Sequence, residues 1–117
     1  MTEAHLRADA LIQHVSELPA YSPPAHSGTV NRRLVGREFG AGFEMILGHV
    51  MPGGEASRHY HVEEAQIVYI LKGEADVALG DDPPHRCGPG TVIRIPKGVT
   101  HEVVTADRKS TRLNSSH

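Results

Sequence analysis

The chain has 117 residues with 12 basic and 14 acidic side chains, a formal charge of −2, and 38% hydrophobic against 22% charged content. That is the length of one domain, too apolar for a disordered polyelectrolyte and without the basic field that holds nucleic acid or a membrane surface. Apolar runs are too short for a transmembrane helix, no secretory signal is visible, and the single Cys87 makes no internal disulfide, which fits a cytoplasmic protein.

Leu6, Leu11, Val15 and Leu18, with Ile12 beside them, recur at roughly helical spacing. Thr2 as N-cap and Pro19 as stop predict a short amphipathic helix over 3–18. Pro19, Pro23, Pro24 and Gly28 then predict an extended connection, so residues 1–42 read as a helix and linker preceding the main domain. FEMILGHV at 43–50 has strand length and is expected to end at Pro52-Gly53-Gly54. Further β-type runs follow at 66–71 (QIVYIL), 74–79 (EADVAL), 91–95 (TVIRI) and 101–105 (HEVVT), separated by Gly/Pro turns. Closely spaced short strands predict an all-β sandwich or barrel over 43–106.

The last eleven residues, DRKSTRLNSSH at 107–117, resemble a laboratory sequence, the translation of DNA that looks like a short-read sequencing adapter. They are therefore expected to be a non-native tail outside the fold, behind a barrel cut off before its last strands. Setting aside Asp107, Arg108, Lys109 and Arg112 leaves nine basic and thirteen acidic residues. A barrel lacking strands would carry a raw sheet edge and be prone to aggregate.

Histidine is the compositional outlier, with nine copies. His59 and His61 stand two apart, which in a strand puts both imidazoles on one face. Gln66 opens the next strand in phase with Val68 and Ile70, and His101 opens the last one. Three imidazoles and one oxygen donor suit a divalent transition metal: Fe, Mn, Ni, Cu or Zn.

The spacing carries more than the pair alone. Gly53, five residues, His59-Tyr60-His61, four residues, Gln66, six residues and Gly73 resemble the first motif of the cupin superfamily. Gly90, five residues, Pro96-Lys97-Gly98, two residues and His101 resemble the second. The resemblance covers 53–101. It implies a small double-stranded β-helix, a jelly-roll barrel, with His59, His61 and His101 as metal ligands and Gln66 in place of the usual glutamate. It also implies a homodimer for the full-length protein. Two positions depart from the pattern: Gln66 itself, and Thr105 where Asn is usual.

A neutral amide in place of a carboxylate leaves an M(II) site at +2 instead of +1, which acidifies bound water and favours a small anionic metabolite. The expected function is a small-molecule metalloenzyme that uses the ion as a Lewis acid for isomerase, cyclase or lyase chemistry. A cupin dioxygenase and a non-catalytic metabolite binder are the alternatives, since the fold hosts many functions. One helix before the barrel is too little for a fused DNA reader. Arg94 lies in mid-strand, where it would either contact a substrate carboxylate or reach solvent or a subunit contact. Tyr60 and Tyr69 have the outward parity, His49 is expected at the surface or in packing, and His5, His14, His26 and His85 are assigned to solvent. Cys87 has no paired His or CxxC partner and is expected to pack beside the turn before Gly90.

Overall fold

The computed structural model describes residues 7–24, 26–59, 63–105 and 111–116, with only the main-chain path for 56–59 and 111–116. Among the described residues, nine strands carry the fold: β1 (Ala20–Tyr21), β2 (His26–Val35), β3 (Met45–His59), β4 (Gln66–Lys72), β5 (Ala75–Leu79), β6 (His85–Cys87), β7 (Val92–Ile95), β8 (His101–Thr105) and β9 (Thr111–Ser116). They hydrogen-bond in the order β6-β5-β8-β3-β9-β4-β7, with β1 on β2 and β2 on β3. All pairings are antiparallel. The result is the expected jelly-roll barrel.

Strand alternation decides what is inside. Val68 and Ile70 of β4, Ala75 and Val77 of β5, Ile93 and Ile95 of β7 and Val103 of β8 form one buried cluster, with Leu79, Cys87 and Val99 packed against it. Their in-between neighbours Ile67, Tyr69, Leu71 and Val92 are exposed. The four strands expected at 66–71, 74–79, 91–95 and 101–105 are all present, within a residue or so of their predicted bounds.

Four expectations change. The helix over 3–18 reduces, among the described residues, to one turn at Ala8–Leu11 and a 3-10 turn at Val15–Glu17. Leu11 and Ile12 are exposed, so no apolar partner holds a longer helix, and short isolated helices are unstable. The supposed linker contains β2, which pairs with β3 from His26↔Ala56 to Val35↔Met45. Arg32 of β2 also donates to the Leu18 carbonyl at 2.6 Å, holding the preceding segment to the sheet.

Pro52-Gly53-Gly54 does not end a strand. β3 runs through it, because β2 continues alongside on both flanks. Between Thr29↔Val50 and Ser27↔Glu55, β2 advances two residues and β3 five, a wide bulge. Gly53 adopts φ +77° there. At Gly54 a Cβ would lie 2.8 Å from the carbonyl oxygens of Ser27 and Gly28, and 2.9 Å from that of Met51. Before the bulge β3 pairs with β9, and after it with β8. The bulge is the barrel's corner. Thr105 fastens it: its buried hydroxyl donates towards the Gly54 carbonyl at 3.0 Å, with the Met51 carbonyl at 3.3 Å. The unusual threonine therefore has a structural task.

Finally, residues 111–116, set outside the fold by the sequence, form a strand between β3 and β4. Ladder hydrogen bonds come from the main chain, and TRLNSS has neither proline nor glycine to interrupt them. Side-chain identity therefore places little restriction on what fills that gap, and the edge expected to be raw is covered there.

Burial pushes the Cys87 thiol above its ordinary range, with the Asp76 carboxylate adding to the effect. Its Sγ also lies 3.5 Å from the His85 carbonyl. Iodoacetamide is expected to alkylate Cys87 at pH 8 several-fold more slowly in native than in urea-unfolded protein, since the thiolate is the nucleophile. Equal rates would contradict the packing described. Urea melts are expected to show Ile70→Ala, at a fully buried position, destabilised by about 2–5 kcal/mol, and Gly54→Ala by about 1–3 kcal/mol through overpacking against backbone.

Candidate functional site

Three of the predicted donors lie on strand ends, and two of them, His59 and His101, meet in register at one mouth of the barrel. β3 ends at His59, β4 starts at Gln66 and β8 starts at His101. The β3–β8 register sets His59 directly opposite His101, and β5 brings Leu79 to the other side of His101. Partner positions in an antiparallel pair share a face of the sheet. On β8 that face holds His101, Val103 and Thr105, all buried.

Gln66 comes in from β4, in phase with buried Val68 and Ile70, and pairs with Ile95 of β7. From Ile95 the chain turns through Pro96-Lys97-Gly98, closed by Val99 N–H on the Pro96 carbonyl at 3.3 Å, and re-enters the barrel at His101. This turn links Gln66's cross-strand neighbour to His101. It accounts for the Pro-Lys-Gly spacing read in the sequence.

His101 is 2% exposed. Its Nδ1 lies 3.2 Å from the Val99 carbonyl. A carbonyl only accepts, so Nδ1 is the donor in this contact. Nε2 of His101 and Oε1 of Gln66 are both shut off from solvent. One imidazole nitrogen fixed by a backbone carbonyl while the other faces inward is the usual arrangement for a metal-ligating histidine. The donor set, imidazole nitrogen with an amide oxygen, fits a borderline divalent ion. The side chain of His59 and the whole of His61 lie outside the described residues. Among the described residues, no three His, Cys, Asp or Glu side chains are grouped to hold a metal.

Arg94 does not join the mouth. It alternates with buried Ile93 and Ile95, is exposed, and pairs with exposed Ile67 on the outer face. An exposed position on the outer face fits the solvent reading and does not fit a substrate contact beside His101. Tyr69 is outward as expected, and Tyr60 falls outside the described residues. His14 is exposed but engaged: its Nδ1 accepts from the Ser16 N–H at 3.1 Å and caps the 3-10 turn. His49 is half-buried. So is His26, which differs from its assignment to solvent because the strand β2 was not foreseen. His85 is exposed.

Sequence reasoning passed over a set of charged residues beside the mouth. Glu44 takes Arg33 Nε at 3.1 Å on Oε1 and Arg37 Nε at 3.3 Å on Oε2, and Arg37 also pairs with Glu64, two residues before Gln66. Arg37 and Glu64 are 27 positions apart, so no local spacing signals the pair. No helix is long and apolar enough to cross a membrane.

Comparison with known proteins agrees with this architecture. Over 90% of the chain, the structure is similar to the polyketide cyclase RemF of Streptomyces resistomycificus, with 28% identity, a TM-score of 0.78 and 76% of that chain covered. It is similar in fold to a predicted oxalate decarboxylase of Thermotoga maritima, with TM-score 0.81 and 18% identity over 90% of this chain and 96% of that one. In sequence it is 42% identical over 52 residues to Protein SchB of Streptomyces halstedii, covering 44% of this chain and 37% of SchB. It is also 42% identical over 50 residues to the dimethylsulfoniopropionate lyase DddQ of Ruegeria pomeroyi, covering 43% of this chain and 24% of DddQ. The chain thus matches well under half the length of these curated relatives. The model of the cupin domain matches residues 46–115, from the start of β3 into β9. That is more than half of the sequence, and the chain belongs to the cupin domain family.

Proposed function

We propose that this cupin holds a divalent transition metal on His59, His61, His101 and Gln66 and acts on a small anionic metabolite. The reaction class is isomerisation, cyclisation or elimination without oxygen. The observation that supports the reading is His101: buried, its Nδ1 on the Val99 carbonyl and its backbone in register with His59, while the Gln66 oxygen is likewise shut off from solvent. A cyclase and a lyase among the similar proteins favour this class, and the propionate in the lyase's name is a carboxylate.

A divalent ion bound there would supply Lewis acidity to a substrate oxygen. The chain's own residues set how strongly. Gln66 contributes an oxygen without charge, so the ligand set leaves the full +2 to be met by an anionic substrate. The Val99 carbonyl holds the His101 ring in one orientation. Leu79, opposite His101, and Ile95, opposite Gln66, give the donors apolar neighbours, which strengthens electrostatic contacts made between them. A homodimer is part of this proposal.

Titration calorimetry with nickel(II) and manganese(II) tests the ligand set. His101→Ala and Gln66→Ala are each expected to weaken binding at least tenfold. Wild-type affinity in Gln66→Ala would remove that residue from the ligand set. Gln66→Glu is expected to tighten metal binding while weakening small carboxylate ligands, because the site falls to +1. Turnover of a candidate substrate is expected to persist under anaerobic conditions. Strict dependence on O₂ would replace the reaction class by the dioxygenase alternative, and tight metabolite binding without turnover would make the protein a binder.

A further inference from the structure

Four charged side chains form an unbroken row beside the mouth. Arg33, Glu44, Arg37 and Glu64 alternate in sign, each in contact with the next. Arg33 also lies over the Tyr21 ring, 5.3 Å from its centroid, where the ring's negative face attracts the guanidinium. Glu44 is the sheltered hub, its side chain 16% exposed against 62% for Arg37. Each of its two oxygens takes one arginine. A guanidinium carries its donors in a rigid planar fork. With Nε committed to Glu44, Arg37 has its outer amine directed at Glu64.

The row joins segments that are remote in sequence. Tyr21 belongs to β1 and Arg33 to β2, Arg37 to the 3-10 turn Arg37–Phe39, and Glu44 immediately precedes β3. Glu64 stands two residues before Gln66. The geometry points to Arg37 and Glu64 as positioning residues that fasten the start of β4, and with it the Gln66 amide, to the β2–β3 corner. Two residues of chain reach about 7 Å at full extension, so fixing Glu64 limits where the Gln66 oxygen can stand. Neither residue touches substrate; both act through Gln66. The functional consequence rests on the metal reading above, whereas the fastening itself rests only on the ion pairs.

Exposed ion pairs are individually weak and screened by salt, so the effect is graded. The test is a double-mutant cycle on Arg37→Ala, Glu64→Ala and the double variant in the full chain. It is read by nickel(II) calorimetry and by amide hydrogen exchange over residues 63–66 in metal-free protein. Each single change is expected to weaken nickel binding about two- to five-fold and to speed exchange at Gln66. The double variant should do no more than Arg37→Ala alone, and Arg37→Lys should recover part of both effects. Glu64→Gln, which keeps the side chain's shape, replaces Glu64→Ala if the latter fails to fold. Unchanged affinity and exchange in the single variants, or losses that multiply in the double one, would overturn the assignment. If wild-type protein takes up no nickel, the metal reading fails by itself, and the exchange measurement still decides whether the two residues fasten β4.

Discussion

The β3–β8 ladder sets His59 opposite His101, and the candidate site depends on that register more than on any side-chain contact. Strand side chains alternate, so a slip of one residue on β8 would carry His101 from the inner face to the outer one. What prevents the slip lies at the far end of the same ladder. Thr105 closes β8 with a hydroxyl bond to the Gly54 carbonyl, and Gly54 is packed so closely against Ser27, Gly28 and Met51 that only a hydrogen fits in place of a side chain. The corner and the mouth are opposite ends of one paired segment. A residue with no part in the chemistry thus helps hold the geometry on which the chemistry relies.

Polarity at the mouth is set by what the strands leave uncharged. His101 is buried and Gln66 half-buried with its Oε1 shut off from solvent, each with an aliphatic cross-strand neighbour, Leu79 and Ile95. Burying a neutral amide and a neutral imidazole costs far less than burying a carboxylate without a partner. The carboxylates that the sequence places nearby are kept at the rim, Glu63 exposed and Glu64 held by Arg37. Among the described residues, no carboxylate is buried, and Glu63 and Glu64 stay in the loop before β4.

Strands that alternate and are bounded by turns could be read from the sequence. QIVYIL, EADVAL, TVIRI and HEVVT each place one row of side chains inside, and each became a strand. β2 gave no such signal: in HSGTVNRRLV only Thr29 is fully buried, so its pairing with β3 rather than its own pattern makes it a strand. Pro52-Gly53-Gly54 carries the same residues whether it stops a strand or kinks one, and the neighbour β2 decides between them. The placement of Gln66 and His101 inside the barrel was legible from parity and motif spacing. The Val99 carbonyl that fixes the His101 ring, the outward turn of Arg94 and the Arg37–Glu64 pair were not, because each depends on how separate strands lie beside one another.

The bulge between Val50 and Glu55 also partitions the chain by tolerance to length change. Before it β3 is read against β9, and after it against β8, where a second register shift falls between Ala56 and His59. A gain or loss of a residue on one side of the corner is therefore not carried as a simple change of parity to the other. The two halves of this one strand can drift in length separately, while the tightly packed corner between them cannot.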